Sequence, residues 1–150
     1  MKTVLFVCTG NTCRSPMAAA LANNIFTKRG IAAVAISCGV FATPGSRASQ
    51  NAAKVMKDGW GIDISSHKAR ITCENDVGAA DFVIAMTAGH KNHLVMQYPE
   101  FADKIYAVNE ICSDGQDIDD PFGAGTDIYL QCARQIENFL ENFDWEECHL

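Results

Sequence analysis

The sequence predicts an α/β protein of three layers, a four-stranded parallel sheet covered by helices on both faces. Short apolar runs such as Thr3-Val4-Leu5-Phe6-Val7 are continuous instead of alternating, as in strands buried on both faces. These runs alternate with helical stretches, and crossover helices are what parallel neighbours require. Glycine and proline punctuate the boundaries between them.

In chain order, Thr3–Val7 is the first strand, and a helix follows from Ser15 to about Arg29, stopped by Gly30. Ser15-Pro16 reads as N-cap and first helical position. The returning strand is Ile31–Ser37, ending at Cys38-Gly39, and Val40 to Gly45 is a loop. Residues 47 to 58 look helical, closed by Gly59, and a short helix lies near 73–79. Asp81–Met86 is the third strand, Thr87 to Gln97 a helix ended before Pro99, and Lys104–Val108 the fourth strand. Asn109 to Gly125 is a polar loop with room for one helical turn, and Thr126 to about Phe143 closes the chain as an amphipathic helix. This order makes a doubly wound, flavodoxin-like sheet, with the loop after its first strand at the carboxyl edge, where open α/β folds bind ligands.

Composition narrows the possibilities. The 150 residues are expected to form one domain, burying about 70% of the unfolded surface. A formal charge of −6, with no Lys/Arg run, argues against nucleic acid or a membrane surface as partner. The apolar run at the N-terminus stops at Thr9-Gly10, too short for a signal segment. Cysteines 8, 13, 38, 73, 112, 132 and 148 make no CxxC pair and no Cys/His quartet, so we expect reduced thiols in a cytoplasmic protein, mostly core packing, with no metal site. His90 and His93, three apart on a helix, lack a third ligand nearby and read as surface residues.

The chemistry concentrates in Cys8-Thr9-Gly10-Asn11-Thr12-Cys13-Arg14-Ser15-Pro16-Met17, a strand-to-helix turn. Such a turn offers unpartnered backbone N–H groups reinforced by the helix dipole, which suits an oxyanion. Gly10 and Asn11 are the residues best able to take the left-handed angles that fold N–H groups inward as an anion nest. Cys8 then sits on the floor of the nest, where a helix N-terminus and a neighbouring guanidinium favour the nucleophilic thiolate. Arg14 can meet two phosphoryl oxygens with its planar fork. Transfer of a phosphoryl group to sulfur also needs a proton for the departing group. Asp119-Asp120-Pro121-Phe122-Gly123 follows the fourth strand, so it too lies at the carboxyl edge, and Pro121 holds Asp120 extended. Taken alone, Asp-Pro is also a common turn element.

Together with Ser37-Cys38-Gly39-Val40 and Ala85-Met86-Thr87, these segments resemble the low-molecular-weight protein tyrosine phosphatase family in order and spacing, over essentially the whole chain. The resemblance implies a nucleophile at Cys8, a phosphate clamp at Arg14, and a general acid at Asp120 that later activates water against a cysteinyl-phosphate. Residues Thr9 to Ser15 would cradle the phosphate, with Asn11, Ser15, Ser37 and His67 as hydrogen-bonding support. His67, beside Lys68 and Arg70, also reads as a simple exposed loop residue. No cofactor is implied. The expected partners are phosphorylated protein substrates of a monomeric enzyme.

One departure bears on substrate. The family's usual isoleucine is Thr12 here, which keeps the branched shape but puts a hydroxyl on the pocket wall. The loop is close to that of bacterial protein arginine phosphatases, a branch of the same family. After Asp-Pro the chain has Phe122 and then Gly123, leaving one aromatic wall, with Phe41 as a candidate second. Phosphoarginine is therefore the expected substrate, with phosphotyrosine as the alternative. Cys13 either captures an oxidised Cys8 as a disulfide or packs beneath the loop. A thiol-dependent arsenate reductase would call for a pair of resolving cysteines mid-chain, where only Cys73 lies. A phosphocysteine carrier would need neither Arg14 nor Asp120.

Overall fold

The computed structural model describes residues 1–112 and 114–147, so Cys148 lies outside the described residues. Strands β1 (Lys2–Cys8), β2 (Ala33–Gly39), β3 (Phe82–Ala85) and β4 (Ile105–Ala107) form one sheet, all pairs parallel, in the order β2-β1-β3-β4. The helices are α1 (Arg14–Arg29), α2 (Gln50–Trp60), α3 (Glu74–Ala79), α4 (Ala88–Gln97), α5 (Val108–Ile111) and α6 (Thr126–Asn142).

The continuous apolar runs work as anticipated, because successive side chains of β1 enter two different cores. Val4, Phe6 and Cys8 join α1, α2 and α6, where Met17, Leu21, Phe26, Met56, Ala133 and Leu140 are buried. Leu5 and Val7 join Val77, Val83, Leu94, Tyr98 and Ile105 on the opposite side. Trp145 seals the first core, edge-on to Phe26 at 4.9 Å between ring centroids, its indole N–H donated to the Leu140 carbonyl at 3.0 Å.

Several local expectations are corrected. Gly59 lies inside α2, and Gly61, with φ of 67°, ends that helix. The second strand runs two residues later than its apolar composition suggested, because pairing with β1 carries it to Gly39. Pro99–Lys104 forms a 3₁₀ turn that the sequence did not signal. Ser15 is not an N-cap: α1 begins at Arg14 with Cys13 as its capping position, which releases the Ser15 hydroxyl for the site below.

Candidate active site

The loop from Cys8 to Arg14 is shaped by where its carbonyls go. Cys8 O accepts from Val40 N (3.0 Å), Thr9 O from Phe41 N (3.0 Å), Asn11 O from His67 Nε2 (2.7 Å), Thr12 O from Ser49 N (2.9 Å) and Cys13 O from Met17 N (3.1 Å). With those oxygens engaged by the protein, the N–H groups of Gly10 to Cys13, none of which donates a backbone hydrogen bond among the described residues, are left available to an anion. The first turn of α1 adds N–H groups with no partner inside the helix, and the positive end of its dipole.

One residue makes the turn. Asn11 has φ of 56°, whereas Gly10 is not among the positive-φ residues, so the expected division between them is corrected: Asn11 alone supplies the left-handed step. Its fully buried amide is satisfied on all sides, Nδ2 donating to Ser15 Oγ (2.8 Å) and Ser37 Oγ (2.9 Å) while Oδ1 accepts from Arg70 N (2.9 Å). Gly39 lies against the loop, where a Cβ would fall 2.4 Å from Thr9 O and 2.8 Å from Asn11 N. Only glycine admits so close a backbone approach.

Cys8 ends β1 with its Sγ 2.9 Å from Ser15 Oγ. That hydroxyl also accepts from Asn11 Nδ2 at 2.8 Å and lies 3.3 Å from the Cys38 carbonyl, to which it can donate, so it joins the sulfur to the loop's internal hydrogen-bond network. Arg14 is buried to 5% exposure and anchored by Nη1 donating to Ile118 O at 3.0 Å. Its Nη2 lies 3.6 Å from Asp120 Oδ2 and 3.4 Å from Thr9 Oγ1. Asp120 stands half-exposed, its Oδ1 accepting from Phe122 N at 3.0 Å, so the loop itself fixes the carboxyl's direction. Ile118 donates its own N–H to Met86 O at 3.0 Å, tying this loop to the end of β3.

The resulting cleft, about 270 Å³, is lined by Cys8, Thr9, Gly10, Thr12, Cys13, Arg14, Asp120 and Phe122. Phe41 lies outside that lining, exposed and edge-on to His93 at 5.1 Å, which corrects its expected place as a second wall. Ser37 and His67 both reach Asn11. Cys13 Sγ lies 3.6 Å from the buried Tyr129 hydroxyl, and both Cys8 and Cys13 are free thiols.

His90 was missed. Far from being a surface residue, it is 8% exposed, its Nε2 2.7 Å from Thr9 Oγ1 and its Nδ1 3.0 Å from Thr87 Oγ1. Burial, seconded by the Arg14 charge, pushes its pKa down to about 4, so the ring is neutral. The available signal was Thr87 as N-cap three residues before His90, which puts His90 in the first turn of the helix that follows β3, at the same carboxyl edge of the sheet as the loop.

A thiol on the floor of an anion cradle, flanked by a buried arginine and overhung by a carboxyl, on a parallel α/β sheet, defines a cysteine-dependent phosphatase. The chain belongs to the low molecular weight phosphotyrosine protein phosphatase family, whose pattern it matches over residues 3–147. It is 41% identical over 141 residues to a protein-arginine-phosphatase of Geobacillus stearothermophilus, covering 92% of this chain and 90% of that protein. The structure is similar to a low molecular weight protein tyrosine phosphatase from T. tengcongensis, with a TM-score of 0.91, 44% identity and coverage of 94% and 96%. It is also similar, at a TM-score of 0.88, 36% identity and coverage of 92% and 90%, to YwlE arginine phosphatase with a phosphorylated active-site serine in a cysteine-to-serine mutant.

Proposed function

We propose that this protein hydrolyses phosphoarginine in proteins through a cysteinyl-phosphate intermediate. The observation that carries the reading is the cleft itself: Cys8 under an N–H-lined cradle, Arg14 beside it and Asp120 at its rim. The phosphoryl group sits in the cradle, its oxygens met by loop N–H groups and the Arg14 fork. The Cys8 thiolate attacks phosphorus as the P–N bond breaks, and Asp120 delivers a proton to the departing guanidine nitrogen. Asp120, now a carboxylate, takes a proton from water as that water attacks the S–P bond, releasing phosphate and regenerating the thiolate.

Three features favour arginine over tyrosine. Thr12 presents a branched, hydroxyl-bearing wall, Phe122 is the single aromatic in the lining, and Asp120 is placed to protonate the leaving guanidine nitrogen as the neutral acid and, once a carboxylate, to pair with the guanidinium so formed. The similar Geobacillus protein bears the corresponding name. Phosphotyrosine is the second reading, favoured by the family description. Among the described residues no helix is long and apolar enough to cross a membrane, and we place the enzyme in the cytoplasm as a monomer acting on phosphorylated proteins.

Paired phosphoarginine and phosphotyrosine peptides test this. Turnover should vanish in Cys8→Ser, fall sharply in Asp120→Asn, and shift toward phosphotyrosine in Thr12→Ile. A preference for phosphotyrosine that Thr12→Ile leaves unchanged refutes the substrate assignment.

A further inference from the structure

We propose that His90 is a positioning residue for the phosphate clamp, acting on Arg14 through the Thr9 hydroxyl. This rests on the proposed reading of Cys8 and Arg14 as the reacting pair. Arg14 carries no acceptor, so its Nη2, 3.4 Å away, donates into Thr9 Oγ1. The same hydroxyl lies 2.7 Å from His90 Nε2. A cation on one side favours lone pairs turned toward it and the hydroxyl proton turned away, onto Nε2. The ring then carries its proton on Nδ1 and donates it to Thr87 Oγ1, 3.0 Å away, the same oxygen that caps the His90 backbone N–H at 3.2 Å. One direction of donation thus runs Arg14, Thr9, His90, Thr87, with every contact satisfied.

The anchoring explains why a histidine serves here. Thr9 is the first loop residue after the nucleophile and is exposed, and apart from His90 its hydroxyl has only the long 3.4 Å contact with Arg14. His90 holds it from the first turn of α4, and that turn is itself pinned, because Asp117 Oδ1 accepts from Ala88 N at 2.9 Å. Asp117 precedes Ile118, whose carbonyl grips the other Arg14 amino group. The guanidinium is therefore held at Nη1 by the Asp120-bearing loop and at Nη2, through Thr9, by α4. Removing His90 leaves the Nη1 anchor intact and frees the Nη2 side, the side that also faces Asp120. A clamp able to swing about one anchor loses the second phosphoryl contact in the transition state more than it loses substrate capture.

The test uses a chromogenic aryl phosphate with His90→Ala, His90→Gln, Thr9→Val, and the His90→Ala/Thr9→Val double variant. His90→Ala should lower kcat/KM about tenfold, mostly in kcat, and weaken inhibition by vanadate in parallel. His90→Gln, whose amide oxygen reaches the Nε2 position, should recover to within about threefold of the parent enzyme. Thr9→Val should match His90→Ala, and the double variant should be no worse than Thr9→Val, since both remove one chain of contacts. Multiplicative losses in the double variant overturn the proposal. So does a His90→Ala protein that melts earlier yet keeps parental kcat and vanadate affinity, or a His90→Gln protein no better than His90→Ala. If His90→Ala fails to fold, Thr9→Val and His90→Gln carry the same decision. Turnover surviving in Cys8→Ser would instead refute the nucleophile assignment, a separate result.

Discussion

Asn11 offers the sharpest test of how the loop is held. Its side chain makes three buried hydrogen bonds, to Ser15, Ser37 and Arg70 N, while its backbone sits at φ of 56°. Asn11→Ala removes all three at about 1 kcal/mol net each, and leaves the Arg70 N–H without its acceptor. It also places an unassisted Cβ in the left-handed region, for ~1 kcal/mol more. The expected loss is ~3–5 kcal/mol, a large part of the ~5–15 kcal/mol that holds a domain together. Asn11→Gly removes the same bonds without the backbone strain, so it should be ~1 kcal/mol more stable than Asn11→Ala. Urea unfolding followed by fluorescence of the buried Trp145 and the half-buried Trp60 measures both. An Asn11→Ala protein within 1 kcal/mol of the parent, or an Asn11→Gly protein less stable than Asn11→Ala, refutes the reasoning.

Two further outcomes follow from the geometry. Gly39→Ala must push back the Thr9 carbonyl or the Asn11 amide, since its Cβ would lie 2.4 Å and 2.8 Å from them. A displacement of that size next to a reacting atom should cost about 100-fold or more in kcat/KM toward an aryl phosphate, checked alongside circular dichroism to separate it from unfolding. The His90 ring titrates near 6.5 when unfolded and about 4 when folded, so it is the unfolded chain that binds the proton first. The stability it contributes is complete above pH 6.5 and is lost as pH falls toward 4, by ~1 kcal/mol per unit. Burial dominates this depression. Arg14 and His93 add to it, while Asp117 and Asp120 oppose it. Urea midpoints between pH 7 and 4.5 should therefore fall more steeply for the parent than for His90→Gln, and equal slopes would contradict the assignment.

The strands, the order of elements and the loop from Cys8 to Arg14 were legible because each rests on a local pattern: a continuous apolar run, a glycine stop, a strand handing over to a helix. Asp120 was legible for a similar reason, since topology returns the end of every parallel strand to the same edge. Local cues misled where one residue could serve two purposes. Ser15 has an N-cap's chemistry, yet the helix starts a residue earlier and its hydroxyl turns to Cys8. Asn11 and Gly10 both tolerate left-handed angles, and what selects Asn11 is the set of partners waiting for its amide.

By itself, then, the sequence determined the parallel α/β architecture and the placement of Cys8, Arg14 and Asp120 at one edge of the sheet, because periodicity and chain order are carried along the backbone. The resemblance named some of the supporting polar groups, His67 among them, but the tertiary structure decided which atom each one holds and added those that were not named. His90 on Thr9, Ile118 on Arg14 and His67 on Asn11 join residues 81, 104 and 56 positions apart. Partnerships at such separations arise only when packing closes, and burial then makes a neutral ring of a histidine that, for want of a third ligand nearby, read as a surface residue.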